Sequence, residues 1–111
     1  MQYLLLIYDN EKRWANGYDD DEMKGYAAFS QEFGKAIVAG KALQPTKSAT
    51  TVRVREGKRL ATDGPFAETK EHLSGFYLVE AKDLADAQHI AAKIPAAKYG
   101  SIEVRPIMKL D

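Results

Sequence analysis

A short stretch in the second half of the chain holds several side chains that could do acid–base chemistry. Asp63 precedes Gly64 and Pro65, and this order of residues is typical of a tight turn. A carboxylate in a turn at the mouth of a cleft is suited to act as a general base or to anchor a ligand. The same carboxylate could instead accept hydrogen bonds from nearby backbone N–H groups and stabilise the turn. The sequence leaves both roles of Asp63 open.

Charged residues continue beyond this turn. Lys70 lies near Glu68 and Glu71 in the sequence. An ion pair with one of these glutamates would lower the pKa of its carboxyl group, and the other glutamate would stay available as a base. A solvated turn held by surface ion pairs explains the same residues equally well. His72 follows Glu68 by four positions, the spacing at which two side chains would meet on a helical turn as a His–carboxylate dyad. However, Gly75 and the apolar run after it leave little room for a helix.

Aromatic residues supply candidates for ligand binding. Phe66 could line an apolar pocket or bury its ring in the core. Tyr8 and Trp14 flank the end of the first apolar run, where they could stack on a flat ligand, pack in the core or anchor a loop. The candidate catalytic residues are therefore Asp63, Lys70 and Glu71. The candidate ligand-binding residues are Tyr8, Trp14, Gly64, Pro65, Phe66, Glu68 and His72.

Composition excludes several classes of function. The 111 residues fit one domain over positions 1–111, and 16 basic residues balance 16 acidic ones. Zero net charge argues against direct nucleic-acid binding and gives no electrostatic reason to bind an anionic membrane. There are no cysteines, and the two histidines, His72 and His89, are far apart, so we expect no dedicated transition-metal site. We find no motif for a phosphate-bearing cofactor and expect none.

Local basic charge is the exception to this balance. A predicted hairpin and the residues before it could bind an anionic ligand or an acidic partner, or could simply keep a sheet edge from pairing with another chain. Its basic residues are Lys47, Arg53, Arg55, Lys58 and Arg59. The apolar run at the start of the chain is too short for a membrane span and lacks the flanks of a signal peptide. We therefore expect a cytoplasmic protein.

Hydrophobic periodicity predicts the elements that position these residues. Residues 3–8 are apolar throughout, as in a strand buried on both faces. Asp19 and Glu22 have capping-box spacing before a helix that would end at Gly40. Its buried stripe would be Met23, Tyr26, Ala27, Ser30, Phe33 and Ile37. Residues 50–55 alternate, and Glu56–Gly57 turns them into a hairpin.

The second half of the chain is also predicted to contain a strand, a helix and a further strand. Residues 75–79 form another apolar strand, and Asp83 caps a second helix that ends at Pro95. Its inner stripe would be Leu84, Ala87, Ile90, Ala91 and Ile94. A last strand alternates over residues 102–105. The order β-α-β(hairpin)-β-α-β predicts an α+β, ferredoxin-like protomer with two helices on one face of an antiparallel sheet. The two apolar strands would lie at its centre and residues 50–55 and 102–105 at its edges.

Both central strands carry apolar residues toward the face that the helices leave open. Because a large exposed apolar face needs a cover and no third helix is predicted, a homodimer is the simplest expectation.

Several segments also resemble a known family. Residues 63–71 read DGPFAETKE and residues 75–77 read GFY, which resembles the signature of the DGPF proteins in the YCII-related superfamily. Residues 1–8, 50–53 and 94–106 are similar to the same pattern. The resemblance implies a ferredoxin-like protomer in a dimeric α+β barrel. Genes of related proteins often lie beside, or are fused to, those of extracytoplasmic-function sigma factors, which implies a regulatory or accessory role. A few members of the wider superfamily are small-molecule enzymes built around a His–Asp pair, with the His soon after the first strand. This chain has no His at that place.

Two functions follow as hypotheses. The first is a dimeric protein, linked to sigma-factor regulation, that binds a small molecule or a partner. The alternative is a lyase or isomerase for a small molecule, in which Asp63 would be the base and Lys70 would stabilise developing negative charge.

Overall fold

A computed structural model describes residues 1–67 and 69–110. The strands are β1 (Gln2–Asp9), β2 (Ile37–Ala42), β3 (Thr50–Arg55), β4 (Lys58–Asp63), β5 (His72–Glu80) and β6 (Ser101–Pro106). The helices are α1 (Asp20–Phe33) and α2 (Leu84–Ala92). Short 3-10 turns cover Glu11–Arg13, Thr46–Ser48 and Pro95–Lys98. The predicted α+β class and the two helices are confirmed.

Four strands form an antiparallel sheet in the order β2-β5-β1-β6. The two apolar strands β1 and β5 lie at its centre and pair with each other, for example Tyr3 with Val79 and Leu5 with Tyr77. The prediction for the centre is therefore confirmed. One predicted edge, residues 50–55, is wrong, because that strand pairs only with β4 and the edge beside β5 is β2.

The start of α1 confirms half of the predicted capping box. The Asp19 carboxylate accepts a hydrogen bond from the Glu22 backbone N–H at 2.7 Å. The Glu22 carboxylate does not return to the cap but accepts hydrogen bonds from Arg13. A buried guanidinium–carboxylate contact is the stronger interaction, so tertiary structure overrides the local motif.

The end of α1 differs from the prediction. The helix ends at Phe33 with Gly34 as its cap, and both Ile37 and Gly40 belong to β2. Gly40 is needed there for a tertiary reason: a Cβ atom at this position would lie 2.6 Å from the ring of Tyr77 on β5. The glycine that resembled a helix stop instead lets an aromatic ring pack directly on a strand.

The buried face of α1 is rotated from the one predicted, whereas that of α2 largely agrees with the prediction. On α1 the buried residues are Glu22 and Phe29, with Tyr26 and Phe33 half-buried, whereas Met23, Ala27 and Ser30 are exposed. The predicted residues Ala87, Ile90 and Ala91 of α2 are buried, and so is Ile94 just beyond its end, but Leu84 is 48% exposed. The helix ends at Ala92 rather than at Pro95 as predicted. His89 is exposed, as predicted. The Asp83 cap is confirmed, since its carboxylate accepts from the Asp86 N–H at 2.8 Å.

The core lies between the sheet and the two helices. It gathers alternate residues of β1 with residues of β5, of α2 and of the segment just after α2, chiefly Tyr3, Leu5, Ile7, Val79, Ala87, Ile90 and Ile94. The intervening residues Leu4 and Leu6 are only half-buried, as are Phe76 and Leu78 opposite them. The prediction that residues 3–8 are buried on both faces is therefore wrong for a single chain, since no helix within residues 1–67 and 69–110 covers the second face.

The β3–β4 hairpin stands apart from this sheet. Glu56 and Gly57 turn with φ angles of 52° and 76°, as a two-residue hairpin turn requires, which confirms the predicted hairpin. Every residue of both strands except Thr51 is exposed. In the part of the chain that the structure describes, no helix is long and apolar enough to cross a membrane.

Candidate functional site

A cavity of about 990 Å³ lies where the open face of the sheet meets the β3–β4 hairpin. We call it the DGPF cavity, because Pro65 and Phe66 of the DGPF sequence at residues 63–66 line it. The sheet contributes residues from the ends of β1, β5 and β6, and the hairpin contributes β3. Five of the predicted site residues line it: Tyr8, Pro65, Phe66, Glu71 and His72.

The turn at Gly64 positions this wall. Gly64 has a φ of 97°, which other residues adopt only with strain. Its N–H donates to the Ala49 carbonyl at 2.7 Å, and its carbonyl accepts from the Thr51 hydroxyl at 2.8 Å. The turn is thus held against the start of β3 by one backbone–backbone hydrogen bond and one from a side-chain hydroxyl. Phe66, two residues later, is 79% exposed at the cavity, so it does not bury its ring in its own chain.

Glu71 and His72 are the ionisable groups of the predicted set that reach the cavity. The Glu71 carboxylate accepts a hydrogen bond from the Ser101 hydroxyl at 3.0 Å, and its carbonyl accepts one from Thr69. His72 is the first residue of β5 and lies in register with Asp9 on β1. Its Nδ1 is buried, and no partner for it lies within residues 1–67 and 69–110.

The His72–Glu68 dyad required a helical turn, and His72 lies on a strand instead. Glu68 itself lies outside the described residues.

The other predicted residues are placed elsewhere. Asp63 is the last residue of β4, exposed, and paired through its backbone with Thr50. Its carboxylate has no hydrogen bond to any described residue. Lys70 is exposed and, like Asp63, does not line the cavity. Of the three candidate catalytic residues, the structure brings only Glu71 to the cavity.

Trp14 lies away from the DGPF cavity. It is 6% exposed and stacks on Tyr18, with ring centroids 5.6 Å apart. Its Nε1 is buried without a partner among the described residues. Of the roles left open for Trp14, this placement matches the anchoring of a loop.

Sequence reasoning missed a buried ionic cluster behind the cavity. Asp9 and Glu22 are 2% and 6% exposed, and Arg13 donates hydrogen bonds to both carboxylates. The Arg13 guanidinium also lies 4.2 Å from the centre of the Tyr99 ring. These bonds, to Glu22 first and then to Asp9, hold the pKa of Arg13 above its ordinary value. The four-residue spacing of Asp9 and Arg13 was the only signal in the sequence.

The cluster has a mechanical consequence for the cavity. Arg13 ends the turn that begins at Glu11, and both Glu11 carboxylate oxygens accept hydrogen bonds from Thr46, from its N–H at 2.5 Å and its hydroxyl at 2.9 Å. Thr46 lines the DGPF cavity. A wall of the cavity is therefore fixed through Glu11 to a turn that the buried cluster holds in place.

Metal binding receives no support from these side chains. Within the described ranges, no group of three or more Asp, Glu or His side chains is close enough to hold a metal ion.

Comparisons with known proteins agree with this architecture. The model of the YCII-related domain matches residues 1–111. An uncharacterized protein of Rhizobium meliloti (strain 1021) is 37% identical over 114 residues, covering 96% of this chain and 92% of that protein.

A solved structure also has this fold. It is 5-chloro-2-hydroxyhydroquinone dehydrochlorinase (TftG) from Burkholderia phenoliruptrix AC1100, in complex with 2,5-dihydroxybenzoquinone. It matches with a TM-score of 0.55 and 15% identity over 97% of this chain and 94% of that one. At this identity the likeness extends to the fold alone. The full-length family match and the 37% identical relative show that the chain belongs to the YCII-related domain family.

Proposed function

We propose that this protein is a homodimer that binds a small organic molecule in the DGPF cavity. The observation that carries the proposal is the cavity itself, whose volume of about 990 Å³ is of the size that small-molecule sites have. Its walls come from β1, β3, β5, β6 and two loops. Loop residues held on a rigid sheet are a common way to build a binding site.

The lining favours a ligand with an apolar body and polar groups. Tyr8, Phe66 and Leu73 offer aromatic and aliphatic surface. Charged side chains of both signs also line the cavity, Arg53 against Glu71 and Glu103. A ligand that carries a charge at one end and an apolar ring at the other would match both kinds of contact.

The exposed surface of a single chain supports the dimer. The chain exposes 8198 Å², whereas a folded monomer of its mass exposes about 6,100 Å². Its radius of gyration is 15.8 Å, against about 13 Å for a compact chain of this length. The difference in surface exceeds the ~800 Å² that each partner contributes to an ordinary interface. A second copy on the open face of the sheet would complete the proposed dimeric α+β barrel.

Binding can be tested with three probes that share one ring system: indole-3-acetate, tryptamine and indole. Amide chemical shifts of the labelled protein would be followed at millimolar probe concentrations. At least one charged probe should perturb amides around Tyr8, Phe66 and His72, and should bind more tightly than neutral indole. The sign of the preferred probe would identify which charged wall residues contact the ligand.

Two variants make this test specific. Phe66→Ala should weaken binding about fivefold, which corresponds to the loss of about 1 kcal/mol of ring contact. Leu60→Ala removes another exposed apolar side chain, 48% exposed on β4, that does not line the cavity. It should leave binding unchanged. Failure of all three probes to bind, or equal effects of the two variants, would contradict the proposal.

The lyase or isomerase alternative is supported by Glu71, a half-buried carboxylate on the cavity wall. In that case Glu71, rather than the exposed Asp63, is positioned to be the base. Association with an extracytoplasmic-function sigma factor and a cytoplasmic location stay predictions.

A further inference from the structure

A second cavity, of about 540 Å³, lies on the opposite face of the sheet, between α1 and the strands β2 and β5. We call it the helix cavity. Ile7 and Tyr77 belong to the sheet face that α1 covers, and Met23, which is 54% exposed, and Ser30 also line it. Its volume is enough for one small molecule.

Phenol rings form much of its wall. Tyr18 and Tyr26 lie with ring centroids 6.2 Å apart, and Tyr77 packs against Phe29 at 5.0 Å on the same side of the sheet. None of the three hydroxyl groups donates a hydrogen bond to another residue within the described part of the chain. Aromatic faces with free hydroxyl groups at their edges suit a ligand that is itself flat and carries oxygen.

The helix cavity differs from the DGPF cavity in charge. Among the described residues that line it, Lys41 is the one with a charged side chain. Strand alternation directs the Lys41 side chain to the opposite face of the sheet, because Lys41 pairs with Phe76 whereas Gly40 pairs with Tyr77. The nearby Glu22 carboxylate is already engaged by Arg13. A charged ligand would therefore lose its hydration without gaining an opposite charge.

We propose that the helix cavity is a second binding site, specific for a neutral, flat aromatic molecule that bears a hydroxyl or carbonyl oxygen. The rings of Tyr26 and Tyr77 would contact the ligand, and the hydroxyl groups of Tyr18 and Tyr26 would hydrogen-bond its oxygen. The site is independent of the ligand proposed for the DGPF cavity, and neither proposal requires the other.

Two probes with one ring system test the charge selectivity. 2-Naphthol is neutral at pH 7, and naphthalene-2-sulfonate is an anion. Titrations followed by naphthalene fluorescence should give a dissociation constant for 2-naphthol at least tenfold lower than for the sulfonate. Equal affinity for the two probes, or tighter binding of the sulfonate, would overturn the proposal.

Variants locate the binding. Ser30→Phe places a ring in the mouth of the cavity and should weaken 2-naphthol binding at least tenfold. Gln31→Phe introduces the same ring at the next exposed position of α1, outside the lining, and should leave binding unchanged. Tyr26→Phe keeps the ring and removes only the hydroxyl, so it should weaken binding about fivefold, the value of one hydrogen bond.

Phe66→Ala separates the two sites, because it changes only the DGPF cavity. If Phe66→Ala weakens 2-naphthol binding while Tyr26→Phe does not, the probe occupies the DGPF cavity and the helix-cavity proposal is wrong. If Ser30→Phe does not fold, as judged by circular dichroism, Tyr26→Phe and the two probes still decide the outcome.

Discussion

Arg13 neutralises two carboxylates that the fold removes from water. Asp9 and Glu22 would each be costly to bury alone, since an ionised group without a partner loses its hydration. The planar guanidinium can donate to both acids at once, which an ammonium group cannot do in the same geometry. The cluster joins the end of β1 to the first turn of α1 and so fixes the entry to the helix.

Removing Arg13 should therefore destabilise the protein. Arg13→Met keeps most of the aliphatic stem but leaves two buried carboxylates unpaired, which should lower the free energy of unfolding by about 3 kcal/mol. Urea denaturation at pH 7 measures this change. Arg105→Met is the matched control, because Arg105 and Glu103 form an exposed ion pair at 3.4 Å. Similar losses in the two variants would show that the buried cluster contributes no more than a surface pair.

Tyr26 should make stability depend on alkaline pH. Burial, together with the nearby Tyr18 and Glu22, raises the pKa of Tyr26 above its ordinary value of about 10. The unfolded chain thus releases this proton at lower pH than the folded chain. The contribution of Tyr26 to the free energy of unfolding is therefore fully present below about pH 10 and decreases as the pH rises further.

Urea denaturation should show that the free energy of unfolding of the wild type is lower at pH 10.5 than at pH 7. The decrease should be smaller in Tyr26→Phe. An identical loss in both proteins would assign the pH dependence to other groups.

Gly40 illustrates why β2 was hard to predict at the scale of elements. A six-residue segment that contains one glycine and continues the helical pattern of apolar residues does not distinguish a strand from the end of a helix. The strand exists because β5 offers it an edge and because Tyr77 needs a position without a side chain opposite it. Both contacts are with β5, which lies about forty residues further along the sequence.

Gly40→Ala should accordingly destabilise the wild type. The new Cβ atom would meet the Tyr77 ring, and overpacking of this kind costs about 1–3 kcal/mol. In a Tyr77→Val background the clash is gone, so the same substitution should cost much less. A double-mutant cycle by chemical denaturation measures the difference. If Gly40→Ala lowers the free energy of unfolding equally in both backgrounds, Gly40 is required for its backbone conformation and not for the contact with Tyr77.

Hydrogen exchange should rank the strands. Amides between β1 and β5 lie at the centre of the sheet, whereas β3 and β4 pair only with each other. An isolated two-stranded hairpin is marginally stable. We expect the slowest exchange within Leu4–Ile7 and Phe76–Val79 and much faster exchange in Thr50–Arg55, measured by nuclear magnetic resonance in deuterated buffer. Hairpin amides as slow as those of β5 would contradict this ranking.

The whole molecule is a slab of 47 × 42 × 18 Å. A thickness of 18 Å holds one sheet and one layer of helices, so the second face of the sheet stays open. Leu4, Leu6, Phe76 and Leu78 are half-exposed on that face. In a proposed dimer the same four residues of each copy would be buried at the centre of the interface.

Light scattering at micromolar concentration should report about twice the chain mass of 12.4 kDa. Leu78→Glu places a charge at the centre of the proposed interface and should give a folded monomer. Leu84→Glu changes an exposed leucine on α2, away from the open face, and should remain a dimer. A wild-type protein that is monomeric under these conditions would remove the dimer and the barrel together.

Elements with local signals could be predicted from the amino-acid sequence. Unbroken apolar runs identified the central strands, Asp19 and Asp83 identified the helix starts, and Glu56–Gly57 identified the hairpin turn. Asp63, Gly64 and Pro65 predicted a turn, and the structure places Phe66, just after this turn, on a cavity wall with Glu71 and His72.

Features that depend on contacts between residues distant in sequence could not be predicted in this way. The edge role of β2, the detachment of the β3–β4 hairpin and the use of Glu22 by Arg13 each join residues that no local pattern relates. The same holds for the candidate site, where Glu71 reaches the cavity but Asp63 and Lys70 do not. Spacing along a chain specifies which side chains share a helix or strand face, whereas the packing of separate elements specifies which of them share a cavity.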